Sequence, residues 1–423
     1  MSAPEQHHAL TPGRERATLL TLGAVQFTHI LDYMIIMPLG AQLMQVFHIT
    51  PTQFTHLVAA YGLAAALFGF AGGFVLDRFD RKRSLLVLYV GFGLSTFACG
   101  LAPTHHWLLA ARFAAGAFGG LAGSMVTAMV GDVVPPERRG RALSMVSMAF
   151  AIASVLGVPA GLLLADRFGW HAPFFMLAAC AAVNLGLASL ALPPIRTAVR
   201  DHEPWRQMRG ILAHGVHLRA FAVGAVLVMA GGCLVPFIAP SMVANVGLTQ
   251  AQLVYAYGAG GLCTIVSMPI VGRLSDRIDK LLLLGWMSAA AVLVVLVLTR
   301  LGPAPVAVAC VVMAAFMVTM SSRFTPAMAM VTNAVEARYR GGFMSVNSSV
   351  QQAASGLANI IAGIFVTSDA AGRLVGYPTL GYAAIGFFVL TVLLAAELRA
   401  AAPHVSAPAR KTPVAAASGE IAA

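Results

Sequence analysis

Apolar runs of about 20 residues, the length of a helix that crosses a bilayer, follow one another along almost the whole chain. Barrel strands are excluded because they alternate over only about 10 residues. The pattern predicts an all-α polytopic membrane protein with twelve transmembrane helices. They lie at residues 17–41, 54–75, 84–103, 107–131, 143–165, 173–193, 219–240, 251–271, 281–300, 304–331, 342–367 and 377–398.

The polar loop between the second and third runs has a counterpart in the second half of the chain. Its glycine and its two aspartates recur at a constant offset, since 272 − 73, 276 − 77 and 279 − 80 all give 199. Parallel halves of six helices are a known plan of membrane transporters. The repeat predicts two pseudo-symmetric six-helix bundles, residues 17–193 and 219–398. The first loop contains Gly73, Asp77, Arg78, Arg81 and Lys82, and its counterpart contains Gly272, Asp276 and Arg277.

Three polar segments lie outside the two bundles: an N-terminal tail at 1–16, a linker at 194–218 and a C-terminal tail at 399–423. The linker carries Trp205 among several arginines, which is compatible with a helix on the membrane surface. A flexible linker is an equally good interpretation. The C-terminal tail is rich in Ala, Pro and Ser, and we expect it to be disordered.

Composition supports the membrane assignment. Of the 423 residues 59% are hydrophobic and only 10% are charged, against roughly 25% charged residues in soluble domains. The net charge of +11 would suit a nucleic-acid partner. However, the Lys and Arg residues concentrate in the loops of one side, which is the positive-inside bias of membrane proteins. We therefore expect a lipid bilayer around the chain, both termini in the cytoplasm, and no nucleic acid.

One acid, Asp32, lies well inside a predicted helix. A charge at the bilayer centre costs about 2.5–3.5 kcal/mol on insertion scales, so it usually has a partner or a function. Gln26, His29, Asp32 and Tyr33 follow helical spacings of three and four, so they form one polar stripe. We expect this stripe to face a cavity rather than lipid. The alternative is a structural ion pair between helices.

Two arginines also lie within predicted helices, Arg112 in the fourth and Arg323 in the tenth. Gly116 follows Arg112 by one turn and allows a close helix approach. The eleventh helix is unusually polar, and Asn347 and Gln351 are its candidates for substrate contact. Helix packing is the alternative role for all of these side chains.

The loop that begins at Gly73, Gly-x-x-x-Asp-Arg-x-x-Arg-Lys, resembles the signature loop of the major facilitator superfamily. Asp80 stands where that family usually has a glycine, and Asp279 does so in the counterpart loop. Arg112-x-x-x-Gly116 resembles a second motif of the superfamily, whose arginine the resemblance ties to proton coupling.

The fifth helix contains Gly157, Pro159 and Gly161, which together are similar to a shortened form of the family's antiporter motif. Pro removes a helical hydrogen bond and kinks the helix. With the other motifs, this segment resembles the bacterial drug and sugar efflux branch, including arabinose-efflux-like permeases. The resemblance implies proton-coupled export of a drug, sugar or metabolite across the bacterial inner membrane by alternating access.

The resemblance also implies roles for individual residues. Helices 1, 4, 7 and 10 line the central cavity in that family. By this analogy the two polar loops act in gating, and Gly116, Gly157, Pro159 and Gly161 act in helix packing and kinking. Proton coupling is expected at Asp32, Arg112 and His29, and the substrate cavity at Gln26, Tyr33, Arg323, Asn347 and Gln351.

The sequence contains no Gly-x-x-x-x-Gly-Lys-Ser/Thr phosphate loop and no His-Glu-x-x-His zinc motif. We therefore expect no enzyme activity, no cofactor and no metal, and a protein that acts as a monomer on a small-molecule substrate and protons. Two alternatives remain. A proton-coupled metabolite importer uses the same fold, and a non-transporting membrane sensor is the third interpretation.

Overall fold

The computed structural model describes residues 11–75, 79–135, 138–193, 204–336 and 339–408. Its helices pack side by side as membrane spans, and one short hairpin joins the last two. The helices are α1 (Pro12–Ile35), α2 (Gly40–Val46), α3 (Pro51–Val75), α4 (Arg81–Gly100), α5 (His105–Val133), α6 (Arg139–Ile152), α7 (Val158–Phe168), α8 (Ala172–Ala191), α9 (Pro204–Ala213), α10 (Gly215–Gly232), α11 (Val235–Ala244), α12 (Gln250–Arg277), α13 (Lys280–Leu298), α14 (Val306–Asn333), α15 (Arg340–Phe365) and α16 (Tyr377–Ala401), with strands β1 (Thr367–Ser368) and β2 (Leu374–Val375).

The prediction of an all-α polytopic membrane fold is confirmed. Within the described residues, ten helical runs are long and apolar enough to cross a membrane, and the bent pair α1–α2 makes an eleventh. Helix α15 is the remaining crossing. It is 26 residues long, but its many Ser, Asn and Gln residues lower its hydropathy.

The internal repeat is visible in the helix boundaries. Helix α3 begins at Pro51 and α12 at Gln250, while α4 begins at Arg81 and α13 at Lys280. Both pairs differ by 199 residues (250 − 51 and 280 − 81), which is the offset found in the sequence. The sequence repeat therefore corresponds to two halves with equivalent helices.

Helices α3 and α12 also begin with the same capping box. The hydroxyl of Thr50 accepts the N–H of Gln53 at 3.2 Å, and the Gln53 side chain accepts the N–H of Thr50 at 2.9 Å. Thr249 and Gln252 repeat this arrangement in the second half. Each box satisfies two backbone donors that the first helical turn leaves free.

Asp80 and Asp279, which stand where the family usually has glycine, are helix N-caps. The Asp80 carboxylate accepts the N–H of Arg83 at 2.8 Å. Asp279 accepts those of Leu281 and Leu282 at 3.0 and 3.1 Å. Asp is among the strongest N-cap residues, so the departure from the family pattern has a local structural reason.

Two spans are broken at corresponding places. Helices α1 and α2 form one span bent by 56°, and Pro38 lies in the break, where it cannot donate a helical hydrogen bond. Helices α10 and α11 are also interrupted, at residues 233–234 before Pro236, but they continue as one span of 30 residues without a comparable bend. In the fifth span a π-helical turn at Ala153–Gly157 separates α6 from α7, with Pro159 directly after it. Such turns are frequent at functional sites.

Among the described residues, a shared apolar core joins the two halves at one end of the molecule. We call this the α2 end; it carries α2, α11 and the β hairpin. There one cluster of buried side chains includes Leu31 and Phe54 from the first half and Phe237 and Phe388 from the second. At the opposite end, which we call the loop end, each half has a separate cluster. The structure is therefore closed at the α2 end.

Three segment boundaries differ from the sequence-based expectation. Helix α1 begins at Pro12, not at residue 17, because Pro is well suited to the first helical turn. The linker contains helix α9, whose Ile211 is buried against the second half. The C-terminal segment expected to be disordered is helical to Ala401, and Val405 beyond it is fully buried.

Candidate functional site

Asp32 and Arg112 form an ion pair inside the first half. Nη1 of Arg112 lies 2.9 Å from Oδ2 of Asp32, and both side chains are 0% exposed. Oδ1 of Asp32 accepts a longer hydrogen bond of 3.4 Å from the Thr96 hydroxyl on α4. The pair joins α1 to α5 with no water-accessible surface.

The break in the first span explains one further contact of Arg112. The N–H of Ile36 bonds to Met34 rather than to Asp32, because the helix ends there. The freed carbonyl of Asp32 accepts a second hydrogen bond from Nη1 of Arg112, at 3.0 Å. The guanidinium thus caps the end of α1 as well as pairing with its carboxylate.

Tyr61 on α3 connects the ion pair to His29. The guanidinium carbon of Arg112 lies 4.4 Å from the centre of the Tyr61 ring, within cation–π range. The Tyr61 hydroxyl lies 2.7 Å from Nδ1 of His29. His29, Asp32, Tyr61 and Arg112 therefore form one buried cluster on α1, α3 and α5, which we call the Asp32 cluster.

Glycines on α5 make the space for this cluster. A Cβ atom at Gly116 would lie 2.3 Å from the Tyr61 carbonyl oxygen, and one at Gly119 would lie 2.6 Å from both the His29 ring and the Tyr61 hydroxyl. In the fifth span, a Cβ at Gly157 would meet Leu31 at 2.8 Å, and one at Gly161 would meet Ile35 at 2.4 Å. These glycines permit the close helix approach that the sequence indicated.

The polar stripe of α1 divides between two environments. His29 and Asp32 point into the first half, and Gln26 lies near His29 beside Gly123. Tyr33 points to the second half, where its hydroxyl lies 2.7 Å from the Ser355 hydroxyl on α15. The acid expected to face a cavity is therefore enclosed, while its neighbour Tyr33 bridges the two halves.

Asn347 and Gln351 lie on one face of α15, against Gly224 of α10. A Cβ at Gly224 would be 2.8 Å from Oδ1 of Asn347 and 3.3 Å from Nε2 of Gln351. Gln351 also donates to the Met328 sulfur at 3.4 Å. Both side chains therefore contact other helices of the second half.

Arg323 lies apart from the Asp32 cluster, contrary to the expectation that it would point with Asp32 and Arg112 into a central cavity. It is 1% exposed, donates to the Ser288 hydroxyl on α13 at 3.1 Å and stacks on Phe388 of α16. It is therefore enclosed within the second half. Its position within a helix does not determine which neighbours it faces.

The two polar loops are only partly described by the structure. Gly73 lies in the last turn of α3, and Asp77 and Arg78 lie outside the described residues. Arg81 is ion-paired with Asp132 at the end of α5, at 3.1 Å, and Lys82 is half-buried in the first turn of α4. In the second half, Gly272, Asp276 and Arg277 lie in the last turns of α12, where Asp276 and Arg277 are exposed.

Sequence reasoning missed Tyr61 and Thr96, which complete the contacts around Asp32 and Arg112. Both lie in apolar or small-residue runs that are typical of helix packing. Ser355 belongs to the polar face of the eleventh helix, for which the sequence favoured packing, and its contact with Tyr33 was not foreseen. Only Tyr61 carried a signal, because a lone phenol in the middle of an apolar helix needs a hydrogen-bond partner.

These features define a polytopic helical membrane protein with an internal repeat of two bundles and a buried ion pair in one of them. The sequence profile of the Major Facilitator Superfamily matches residues 22–359 and 220–421. The chain belongs to this superfamily, and the resemblance of its loops is confirmed.

Curated relatives from bacteria agree with this assignment. An uncharacterized MFS-type transporter of Bacillus subtilis, YceJ, is 30% identical over 261 residues, which cover 60% of this chain and 66% of the relative. A chloramphenicol resistance protein of Streptomyces lividans is 30% identical over 223 residues, covering 50% and 56%. The matched segments thus span less than two thirds of these relatives.

Among solved structures, the fold is similar to a bacterial homologue of the human lysosomal transporter Spinster, crystallised in an inward-facing and occupied conformation. The TM-score is 0.74, with 17% sequence identity over 94% of this chain and 99% of the other. At this identity the likeness concerns the fold alone.

Proposed function

We propose that the chain is a secondary active transporter that exchanges protons for a small organic molecule by alternating access. The buried Asp32–Arg112 ion pair is the observation that carries this proposal. No enzymatic reaction is needed to explain it, since the site combines one acid, one cation and their hydrogen-bond partners inside a membrane fold.

The chemistry of the pair supports a proton-carrying role for Asp32. Burial favours the neutral carboxylic acid, whereas the adjacent guanidinium favours the carboxylate. While the pair is intact, the two charges compensate each other. A movement of α1 or α5 that separates them would leave two unpaired charges, and each costs several kcal/mol while it stays buried. Protonation of Asp32 removes the cost of the carboxylate, so separation favours proton uptake at Asp32 and re-pairing with Arg112 favours release.

The structure is closed at the α2 end, as is expected of one state in an alternating-access cycle. We assign the loop end to the cytoplasm because its connections are rich in Lys and Arg. With this orientation both termini are cytoplasmic and the structure is closed to the outside of the cell. Opening that side requires the bond between Tyr33 and Ser355 to break. Tyr33 directly follows Asp32 in α1, so the proton site and the closure share one helix turn.

Export is favoured by the resistance function in the name of one relative, the chloramphenicol resistance protein. Growth of a bacterial host that lacks its own exporters tests this. The host would express the chain and be challenged with chloramphenicol and a panel of other antibiotics and organic acids. We expect increased tolerance to at least one compound, abolished by a protonophore. Increased sensitivity would instead indicate import, and unchanged growth and unchanged cellular content of every compound would contradict transport.

A further inference from the structure

Within the described part of the chain, Arg323 is a buried cation without an anionic partner. Arginine stays protonated in proteins, and this one is 1% exposed. Helix α14 has 28 residues and is about 42 Å long, so both its ends extend beyond a hydrocarbon core about 30 Å thick. Arg323 lies ten residues before its end at Asn333 (333 − 323). It is therefore within the core, on the loop-end side of the helix midpoint.

The second bundle has no acid that could reach this depth. All its carboxylates stand at helix ends or in connections, and in the first bundle Asp32 is already paired with Arg112. The acids of residues 219–398 are Asp276, Asp279, Glu336, Asp369 and Glu397. No acid of the described residues therefore supplies a counter-charge for Arg323, and a bound anion would supply it.

The present contacts of the guanidinium leave donors free. Nε donates to the Ser288 hydroxyl at 3.1 Å, and Nη1 has only the Met320 sulfur, a weak acceptor, at 3.9 Å. Within the described part of the chain, Nη2 is buried with no hydrogen-bond partner. The Phe388 ring lies 4.0 Å from the guanidinium carbon. A cation–π contact compensates only part of the cost of burying an unpaired ion.

The surrounding residues suit a small anion. The free edge of the guanidinium offers two N–H groups in the fork that matches a carboxylate. The Ser288 hydroxyl, which accepts from Nε, keeps its own hydrogen for a ligand. Met320 is half-buried, and its unbranched side chain adapts easily to a neighbour, so a change of its rotamer can vacate the Nη1 side.

We propose that Arg323 and Ser288 form a binding site for a monovalent anion, either chloride or the carboxylate group of a small organic molecule. If the ligand is an organic carboxylate, we infer that the transported substrate carries a carboxylate group. This inference about the substrate rests on the proposed transport function. Binding itself does not, because it needs neither a proton gradient nor Asp32.

Thermal unfolding of the purified full chain in detergent tests the site. Chloride and benzoate would be titrated separately at constant ionic strength, with sulfate as the balancing ion. We expect the Tm of the wild type to rise by a few degrees and to saturate, since a ligand that binds the folded state raises its stability. The control Arg373→Met, at an exposed arginine of the β hairpin, should respond like the wild type.

The variant Arg323→Met should not respond to either anion. In sulfate alone its Tm should equal or exceed that of the wild type, because it lacks an unpaired buried charge. Saturation by chloride alone identifies an inorganic ligand, and saturation by benzoate identifies an organic carboxylate; either supports the site. The absence of a saturable rise in the wild type, or an equal rise in Arg323→Met, would overturn it.

A purely structural role predicts another pattern. If Arg323 only packs against Phe388, Arg323→Met would have a Tm lower than that of the wild type by the same amount in every buffer, and this result would also overturn the proposal. Should Arg323→Met fail to fold, Arg323→Lys replaces it. Lysine keeps the charge but loses the fork, so the site predicts a response to chloride and a weakened response to benzoate. An undiminished response to both anions would contradict it.

Discussion

Arg112 binds three different groups with one side chain: the Asp32 carboxylate, the Asp32 carbonyl and the face of Tyr61. The carboxylate belongs to the polar stripe of α1, the carbonyl is free because α1 ends there, and Tyr61 lies in the apolar run of α3. Removing the guanidinium leaves the carboxylate buried without a compensating charge, so the proton affinity of Asp32 depends on this one residue.

We predict that Arg112→Gln moves the pH profile of transport to higher pH. Without the cation, burial is opposed only by the long hydrogen bond from Thr96, so the carboxyl keeps its proton at higher pH. The measurement is the initial rate of transport in membrane vesicles between pH 5 and 9. Arg300→Gln is the matched control, because Arg300 is exposed at the end of α13. A profile that coincides with the wild type would show that Arg112 does not tune the proton site.

The sequence contained much of this site but not all of it. Asp32 and Arg112 were both expected in proton coupling, and the structure brings them into contact. Helical spacing also identified His29. It did not identify Thr96, because hydroxyls in apolar helices usually bond to their own backbone. The direction of Arg323 was missed because a helical face does not specify the helix that covers it.

At the scale of elements, the end of α16 and the start of α13 are joined by a small polar network. Ser406 donates to the Asp279 carboxylate at 2.8 Å, and Arg399 lies 3.5 Å from it. Burial raises the pKa of Asp279, but the hydrogen bonds from Ser406 and the Leu281 and Leu282 amides, together with the charge of Arg399, hold it below its ordinary value.

We predict that Asp279→Asn lowers the stability of the second bundle by about 1 kcal/mol at neutral pH, the size of one or two hydrogen bonds. A folded-state pKa below the unfolded value stabilises the protein above the unfolded pKa, near 3.9. The contribution is lost as the pH falls through the folded value. Thermal unfolding should therefore separate the variant from the wild type at pH 7, with the difference shrinking below about pH 4. A pH-independent difference would contradict this account. The control is Asp80→Asn, which changes the equivalent N-cap in the first half.

Most elements follow the apolar runs of the sequence, and the interruption of the fifth span lies next to Pro159, where a kink was expected. The break at Pro38 was not predicted, because residues 17–41 were expected to form one continuous helix. The docked segment after Ala401 was not predicted either. Its Ala, Pro and Ser composition is typical of disordered tails, and its order depends on a few specific contacts. One is the hydrogen bond from the Lys280 N–H to the Ser406 carbonyl, at 2.9 Å. Such contacts cannot be predicted from amino-acid composition.

For the whole molecule, the closest contact between halves at the α2 end joins α3 to α15. The Thr52 hydroxyl donates to the Gly363 carbonyl at 2.6 Å. A Cβ atom at Gly363 would lie 2.1 Å from the Thr55 hydroxyl and 3.1 Å from the Thr52 Cα. Only glycine fits this position while the α2 end is closed, so closure depends on it.

We predict that Gly363→Val shifts the protein toward the state that is open at the α2 end. A cysteine introduced at Thr52 should then react several-fold faster with a membrane-impermeant maleimide. Gly386→Val is the matched control, because a Cβ at Gly386 meets no atom within 4 Å. Equal labelling rates in the Gly363→Val and Gly386→Val backgrounds would show that this contact does not hold the end closed.

The central claim is that Asp32 carries the coupling proton, and proteoliposomes test it most directly. The wild type, Asp32→Asn and the control Asp166→Asn, at an exposed acid, would be reconstituted with the compound that the growth screen identifies. Both pH-gradient-driven accumulation and exchange of labelled for unlabelled compound would be measured. The account predicts that Asp32→Asn loses gradient-driven accumulation but retains exchange, while Asp166→Asn keeps both. Full gradient-driven accumulation by Asp32→Asn would contradict it and show that the proton is carried by another residue.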